Sequence, residues 1–250
     1  MGTNSLRRMT QGHWIALFGA TLVLWALLFL MALPETTLAA RGLAVLEAIC
    51  SVTPGSAGFP TTVLMWAIMS AAMMAPTALP AFTTYDDLPG TTGAGLAALL
   101  WGYVVVWIGF AVVAAGLQVL FFHQGWLGAL GQSTSVWLTA GLLAVAGLYQ
   151  FSALKEACLS RCRAPLTFFM GHWAEGAFRN GLRLGADCLG CCWALMLLAF
   201  VGGTMNLAFM GLAMLLMTLE KLPDIGAHIT KPLGGGLVAL AILTPLSLFF

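Results

Sequence analysis

Cys188, Cys191 and Cys192 place three thiols within five positions at the mouth of an apolar run, in the order Cys-Leu-Gly-Cys-Cys-Trp. Upstream, Cys158 and Cys162 stand four residues apart, a spacing that puts both on one face of a helix. By the same rule Cys192 lies one turn from Cys188 on one side and one turn from Met196 on the other. Five thiols and a thioether converge if the two segments pack together. Soft sulfur donors in such a group favour Cu(I), Zn(II) or an iron–sulfur centre over hard cations. Cysteine is also a commonly buried small hydrophobe, and helical spacing brings neighbours together for packing alone. The local density argues for chemistry, because the rest of the chain holds only Cys50.

His172 lies between the two cysteine groups, where it would complete a mixed sulfur and nitrogen site; beside Trp173 it reads equally as an interfacial anchor. Asp187 directly precedes Cys188, placed to attract a cation or to cap the start of a helix. Met65, Met69 and Met73 recur at steps of four with Met74 adjacent, a stripe that suits packing better than ligation. Paired histidines buried in mid-span, which a bis-histidine haem requires, are absent from the sequence. It also lacks a Gly-rich phosphate loop, a metalloprotease motif, a nucleophile elbow and any basic aromatic patch for nucleic acid. The chain reads as a binding protein rather than an enzyme.

These residues need elements to position them, and composition sets the class of element. The chain is 60% hydrophobic and 8% charged, with a mean hydropathy of +0.96, whereas soluble domains carry about a quarter charged residues. An all-α polytopic transmembrane helix bundle follows, forming a single membrane domain over residues 1–250.

About six spans are expected: apolar segments at 13–33, 62–82, 93–122, 135–154, 188–202, 205–220 and 232–250. They count as six if the 188–220 run, interrupted at Gly202-Gly203-Thr204, is one tight re-entrant hairpin whose arms need not fully cross. The first segment reads as a retained anchor rather than a cleaved signal. A loop at 35–60, with a short amphipathic helix over 38–49, caps one face. Pro76 and Pro80 should kink or end the second span unless neighbouring groups satisfy the freed carbonyls. Between 155 and 185 an interfacial amphipathic connector carries seven of the 19 Lys, Arg, Asp and Glu residues. Pro165 divides it into a helix with Cys158 and Cys162 and a second with Phe168, Phe169, His172 and Trp173.

With the N-terminus cytoplasmic, nine of the 10 Lys and Arg residues fall inside and only Arg41 outside. That asymmetry supports the turn at Gly202-Gly203 and puts the five clustered cysteines at the cytoplasmic face. Thiols there are normally reduced, which favours metal binding or transient redox use over a disulfide framework. At the end of the 205–220 segment, Lys221 is expected to snorkel to the head groups and Glu220 to pair with Lys155, Arg161 or Arg183.

Three stretches also carry a resemblance: Met-Ser-Ala-Ala-Met-Met-Ala-Pro at 69–76, the 149–165 segment with its Lys-x-x-Cys-x-x-x-Cys-Arg motif, and Cys-Leu-Gly-Cys-Cys-Trp through Gly-Gly-Thr-Met-Asn at 188–206. Together with Glu220-Lys221 they resemble the bacterial DUF2182 family of predicted metal-binding integral membrane proteins, some of whose members are labelled copper chaperones. The resemblance runs from Met65 to Lys221 and implies metal ligation by Cys158, Cys162, Cys188, Cys191 and Cys192, in a bacterial inner (cytoplasmic) membrane. Copper as Cu(I) is the first choice and zinc the second, because Cu(I) needs only two or three soft ligands and leaves thiols free to pass it onward.

Three functions fit these features. The chain delivers copper to, or assembles, a membrane metalloenzyme; it is an accessory subunit whose glycine faces at Gly202-Gly203 and Gly234–Gly236 pack against an integral-membrane partner; or it is a thiol redox protein cycling through a disulfide.

Overall fold

The structure, a computed structural model, describes residues 12–31, 58–128, 131–204 and 206–246. The expected cap at 35–60 and Cys50 fall mostly or wholly outside these residues. Almost all of the described chain is helical: α1 Gly12–Met31, α2 Gly58–Asp86, α3 Gly93–His123, α4 Val136–Tyr149, α5 Ala153–Arg163, α6 Pro165–His172, α7 Ala177–Gly202, α8 Leu207–Lys221 and α9 Pro223–Leu246. α2, α3, α7 and the His228–Leu246 part of α9 are long and apolar enough to cross a membrane. α4 and α5 qualify as one further span when taken together, although they are bent by 62° at residues 150–152. Among the described residues four or five helices thus have membrane length, beside the six or so spans expected of the whole chain. The 15 residues of α8 reach only about 22 Å, short of a bilayer core of about 30 Å.

α2 runs unbroken through Pro76 and Pro80, and at Pro76 a neighbouring helix supplies the missing donor. Pro76 has no N–H for the carbonyl of Ala72, and the indole of Trp25 on α1 donates to that oxygen at 3.1 Å. Thr83 and Thr84 donate to the carbonyl of Pro80 at 2.9 and 2.7 Å. The helix is therefore longer at both ends than the 62–82 segment expected from hydropathy.

α7 is the centre of the bundle, packed along α3 and flanked by α5, α4 and α8. Its approach to α3 is set by glycine. A Cβ on Gly102 would lie 2.2 Å from the carbonyl oxygen of Phe178, and one on Gly181 would lie 2.1 Å from that of Leu99. Small residues let transmembrane backbones meet in this way. The glycine positions singled out for a partner are used partly within the chain, since Gly202 faces Phe209 and Gly234 faces Gly147 and Gln150. At one end of the core, buried Trp66 donates to Gln118 at 2.6 Å and its ring sits 5.3 Å from Phe200. This ties α2, α3 and α7 together.

The connector breaks at Pro165 as expected, with Pro165 at the start of α6. It ends earlier than expected, however, in a 3-10 turn over Trp173–Glu175 and at Gly176, whose φ of 86° suits glycine. α7 then begins at Ala177, eleven residues before the segment expected at 188–202, and its 26 residues are long enough to cross. Hydropathy misplaced this start because Arg179 and Arg183 sit within the helix, with Arg183 paired to Glu175 at 2.7 Å. The turn between α7 and α8 falls at Gly203, φ 94°, where Asn206 caps α8 by accepting from the Phe209 N–H at 3.1 Å.

Candidate metal centre

Because α7 starts so far upstream, Cys188 lies in the middle of the helix. Spacings of three and four bring Cys188, Cys191 and Cys192 onto the inward face, where all three are buried. Their sulfur atoms lie within 4.8 Å of one another. With metal–thiolate bonds of about 2.3 Å, a bridging ion holds two sulfurs at most about 4.6 Å apart, so small side-chain rotations suffice to clasp an ion. The thiols of Cys191 and Cys192 donate to the carbonyl of Cys188 at 3.0 and 2.8 Å. That one backbone oxygen gathers both side chains.

Around the three thiols stand groups from four other helices. Met74 of α2 brings its thioether sulfur to 3.7 Å from the Cys192 sulfur. Tyr103 of α3 places its hydroxyl 3.1 Å from the Cys188 sulfur and donates to the Met74 carbonyl at 3.3 Å. Lys221, at the end of α8, donates to Cys188 at 3.0 Å and to the Thr77 hydroxyl at 2.8 Å. Lys221 therefore points into the bundle, and the expectation that it snorkels to the head groups is corrected. An ammonium turned inward needs acceptors and compensating charge, and the thiols and Thr77 supply the acceptors. Two thiolates around Cu(I) would carry one net negative charge, which this ammonium balances.

α5 folds back on α7. Cys162 lies within hydrogen-bonding reach of Cys191, and Cys158 packs against Gly190, where a Cβ would meet its sulfur at 2.6 Å. Gly190, in the middle of Cys-Leu-Gly-Cys-Cys, is thus the position that admits the second helix. Arg161 donates to Asp187 at 2.7 Å. Asp187 consequently fastens α5 to α7 from within the helix and caps nothing. Deeper in the molecule Lys155 pairs with Glu220 at 2.8 Å, both side chains at most 2% exposed. Glu220 thereby finds the first of its three expected partners, and the pair locks α5 to α8 beside Lys221.

The remaining sequence candidates lie apart. Met196 is buried on α7 one turn beyond Cys192. His172 has its Nδ1 2.8 Å from the Phe168 carbonyl oxygen and its ring tilted over Phe168. It lines a separate polar pocket with Arg161, Arg183 and Asp187. The group of converging ligand atoms among the described residues is the cysteine trio. Sequence reading passed over Tyr103 and Lys221 as site groups and set Met74 aside with its stripe.

A bundle of membrane-length helices, closed around a sulfur-rich pocket with no carboxylate among its converging ligands, is built for soft metal ions. The family model of PpoB2, described as a copper chaperone, matches residues 63–244, and the chain belongs to that family. No curated protein and no solved structure matches it.

Proposed function

We propose that the protein takes up Cu(I) at Cys188, Cys191 and Cys192, with Met74 as a thioether ligand, and hands it on through Cys162 and Cys158 to a membrane metalloenzyme. Copper here is cargo rather than a resident cofactor. The single observation that carries this reading is the convergence of three buried thiols with a methionine sulfur, a donor set that suits Cu(I) at low coordination. Zn(II), the second choice, prefers a closed tetrahedral set of four, to which Cys162 would have to be drawn in. His172 and Met196 are outlying members of the ligand set.

Burial supports the order of transfer. Cys191 and Cys192 are enclosed and Cys188 is buried at the cavity wall, while Cys162 is half-buried and lines the same cavity. The excess of Lys and Arg on the segments around that cavity supports a cytoplasmic position in an inner membrane. Anaerobic purification followed by elemental analysis tests the metal. About one copper per chain is expected, and zinc or iron in its place refutes the assignment.

A further inference from the structure

A cavity of about 240 Å³ reaches the cluster from outside, lined among others by Thr77, Tyr103, Cys162, Arg163, Cys188 and Lys221. Two of the thiols, Cys162 and Cys188, face it. Among the described residues it carries two cations, Arg163 and Lys221, and no carboxylate. Glu220, next to Lys221 in sequence, is taken up by Lys155. Arg163 donates through Nε to the Glu220 carbonyl at 2.9 Å, and its Nη1 is 3.5 Å from the exposed Glu156. Its Nη2 is buried without a partner. An unpaired buried donor of this kind asks for an acceptor.

A way in lined by two cations is the wrong approach for a bare Cu(I) ion, which it repels, and the right one for an anion. From this, and resting on the reading of the thiol cluster as a copper centre, we infer that copper enters as an anionic complex of Cu(I) with small thiolates, selected for its charge by Lys221 and Arg163. The volume suits such a complex, being roughly that of eight water molecules at about 30 Å³ each.

The exchange balances without a change of oxidation state. The carrier complex holds one Cu(I) between two thiolates and bears one negative charge at its metal centre. Cys188, at the cavity wall, forms a bond to copper as one carrier thiolate leaves, and the Cys188 proton passes to that thiolate. Cys191 displaces the second carrier in the same way. Two S–H bonds break and two form, two carrier thiols depart, and copper sits between Cys188 and Cys191 with the same single negative charge, now beside the Lys221 ammonium.

The test uses the full chain, reduced and metal-free in lipid nanodiscs, offered Cu(I) as complexes of three two-carbon thiols. Mercaptoacetate is anionic, mercaptoethanol has an uncharged arm and cysteamine has a cationic arm. Copper retained per chain is followed in time by elemental analysis after rapid desalting. Initial loading should fall in that order, with about a tenfold span between the extremes, and added salt should compress the span. The mercaptoacetate-to-cysteamine ratio should shrink toward one in Lys221→Gln and Arg163→Gln and persist in Arg163→Lys. Because it is a ratio within each variant, a general loss of folded protein cancels.

Cysteamine loading as fast as mercaptoacetate, or a ratio unmoved by both glutamine variants, overturns the inference. Final copper content separates this outcome from failure of the copper centre itself. A normal final content without charge preference removes only the selective cavity, whereas no copper from any carrier removes the centre.

Discussion

Cys188, Cys191 and Cys192 ride on a 26-residue helix pinned to α3 by glycine contacts, whereas Cys158 and Cys162 ride on an 11-residue helix held by ion pairs and joined to α4 through a bend. The α7 thiols cannot shift without disturbing the centre of the bundle. The end of α5 that carries Cys162 can move with less cost, because the Arg161–Asp187 pair there is partly exposed and exposed pairs contribute about 1 kcal/mol or less, whereas the buried Lys155–Glu220 pair holds the start of the helix. The contrast separates holding from handing on: three sulfurs on the rigid element to bind, two on the lighter element to release.

The sharpest way to break this comparison is by serine substitution on each helix. Cys188→Ser with Cys191→Ser should abolish stoichiometric copper, while Cys158→Ser with Cys162→Ser should retain most of it and release it more slowly to a competing chelator. Metal analysis and release kinetics read the two effects, and the reverse pattern would exchange the roles of the helices.

Next in size is the tie between α5 and α8. Lys155→Met leaves the Glu220 carboxylate buried without its partner, a loss of about 3–5 kcal/mol, measurable by reversible unfolding in mixed micelles. Lys155→Met with Glu220→Leu should recover most of that loss. A single variant as stable as the parent would mean the pair does not hold α5.

Gly190→Ala aims at the contact between the two helices. The new methyl would meet the Cys158 sulfur, and relief by a shift of α5 should cost about 1–3 kcal/mol. Hydrogen exchange should rise in α5 and stay unchanged in α7, and adding Cys158→Ala should restore protection. The smallest effect is expected from Met74→Leu, a volume-conserving change costing less than about 1.5 kcal/mol in stability. Copper affinity should fall about tenfold, equivalent to about 1.4 kcal/mol, and unchanged affinity would remove Met74 from the ligand set.

Much of this arrangement is written in local pattern. The i,i+4 and Cys-x-x-Cys-Cys spacings, the break at Pro165, the turn at Gly203 and a partner for Glu220 each follow from rules that act over a few residues or from the cost of burying charge. What escaped depends on contacts between distant helices. Tyr103 sits in an apolar run of α3 with nothing nearby to mark it, and a methionine stripe at steps of four does not say which sulfur meets Cys192. Lys221 looked peripheral because a charge at the end of an apolar segment normally faces water. Its inward turn depends on acceptors from α2 and α7. The start of α7 was displaced for a related reason, since hydropathy treats Arg179 and Arg183 as the edge of a span that in fact contains them.

The 62° bend at residues 150–152 makes α5 the short arm of a lever whose long arm is α4. α4 presents Trp137, Val145 and Leu148 to the surroundings. An 11-residue helix is about 16 Å long, and a tilt of about 10° at the bend carries its tip by roughly 3 Å. That stroke exceeds the length of a metal–sulfur bond, so a tilt of this size is enough to part Cys162 from a metal held by Cys191.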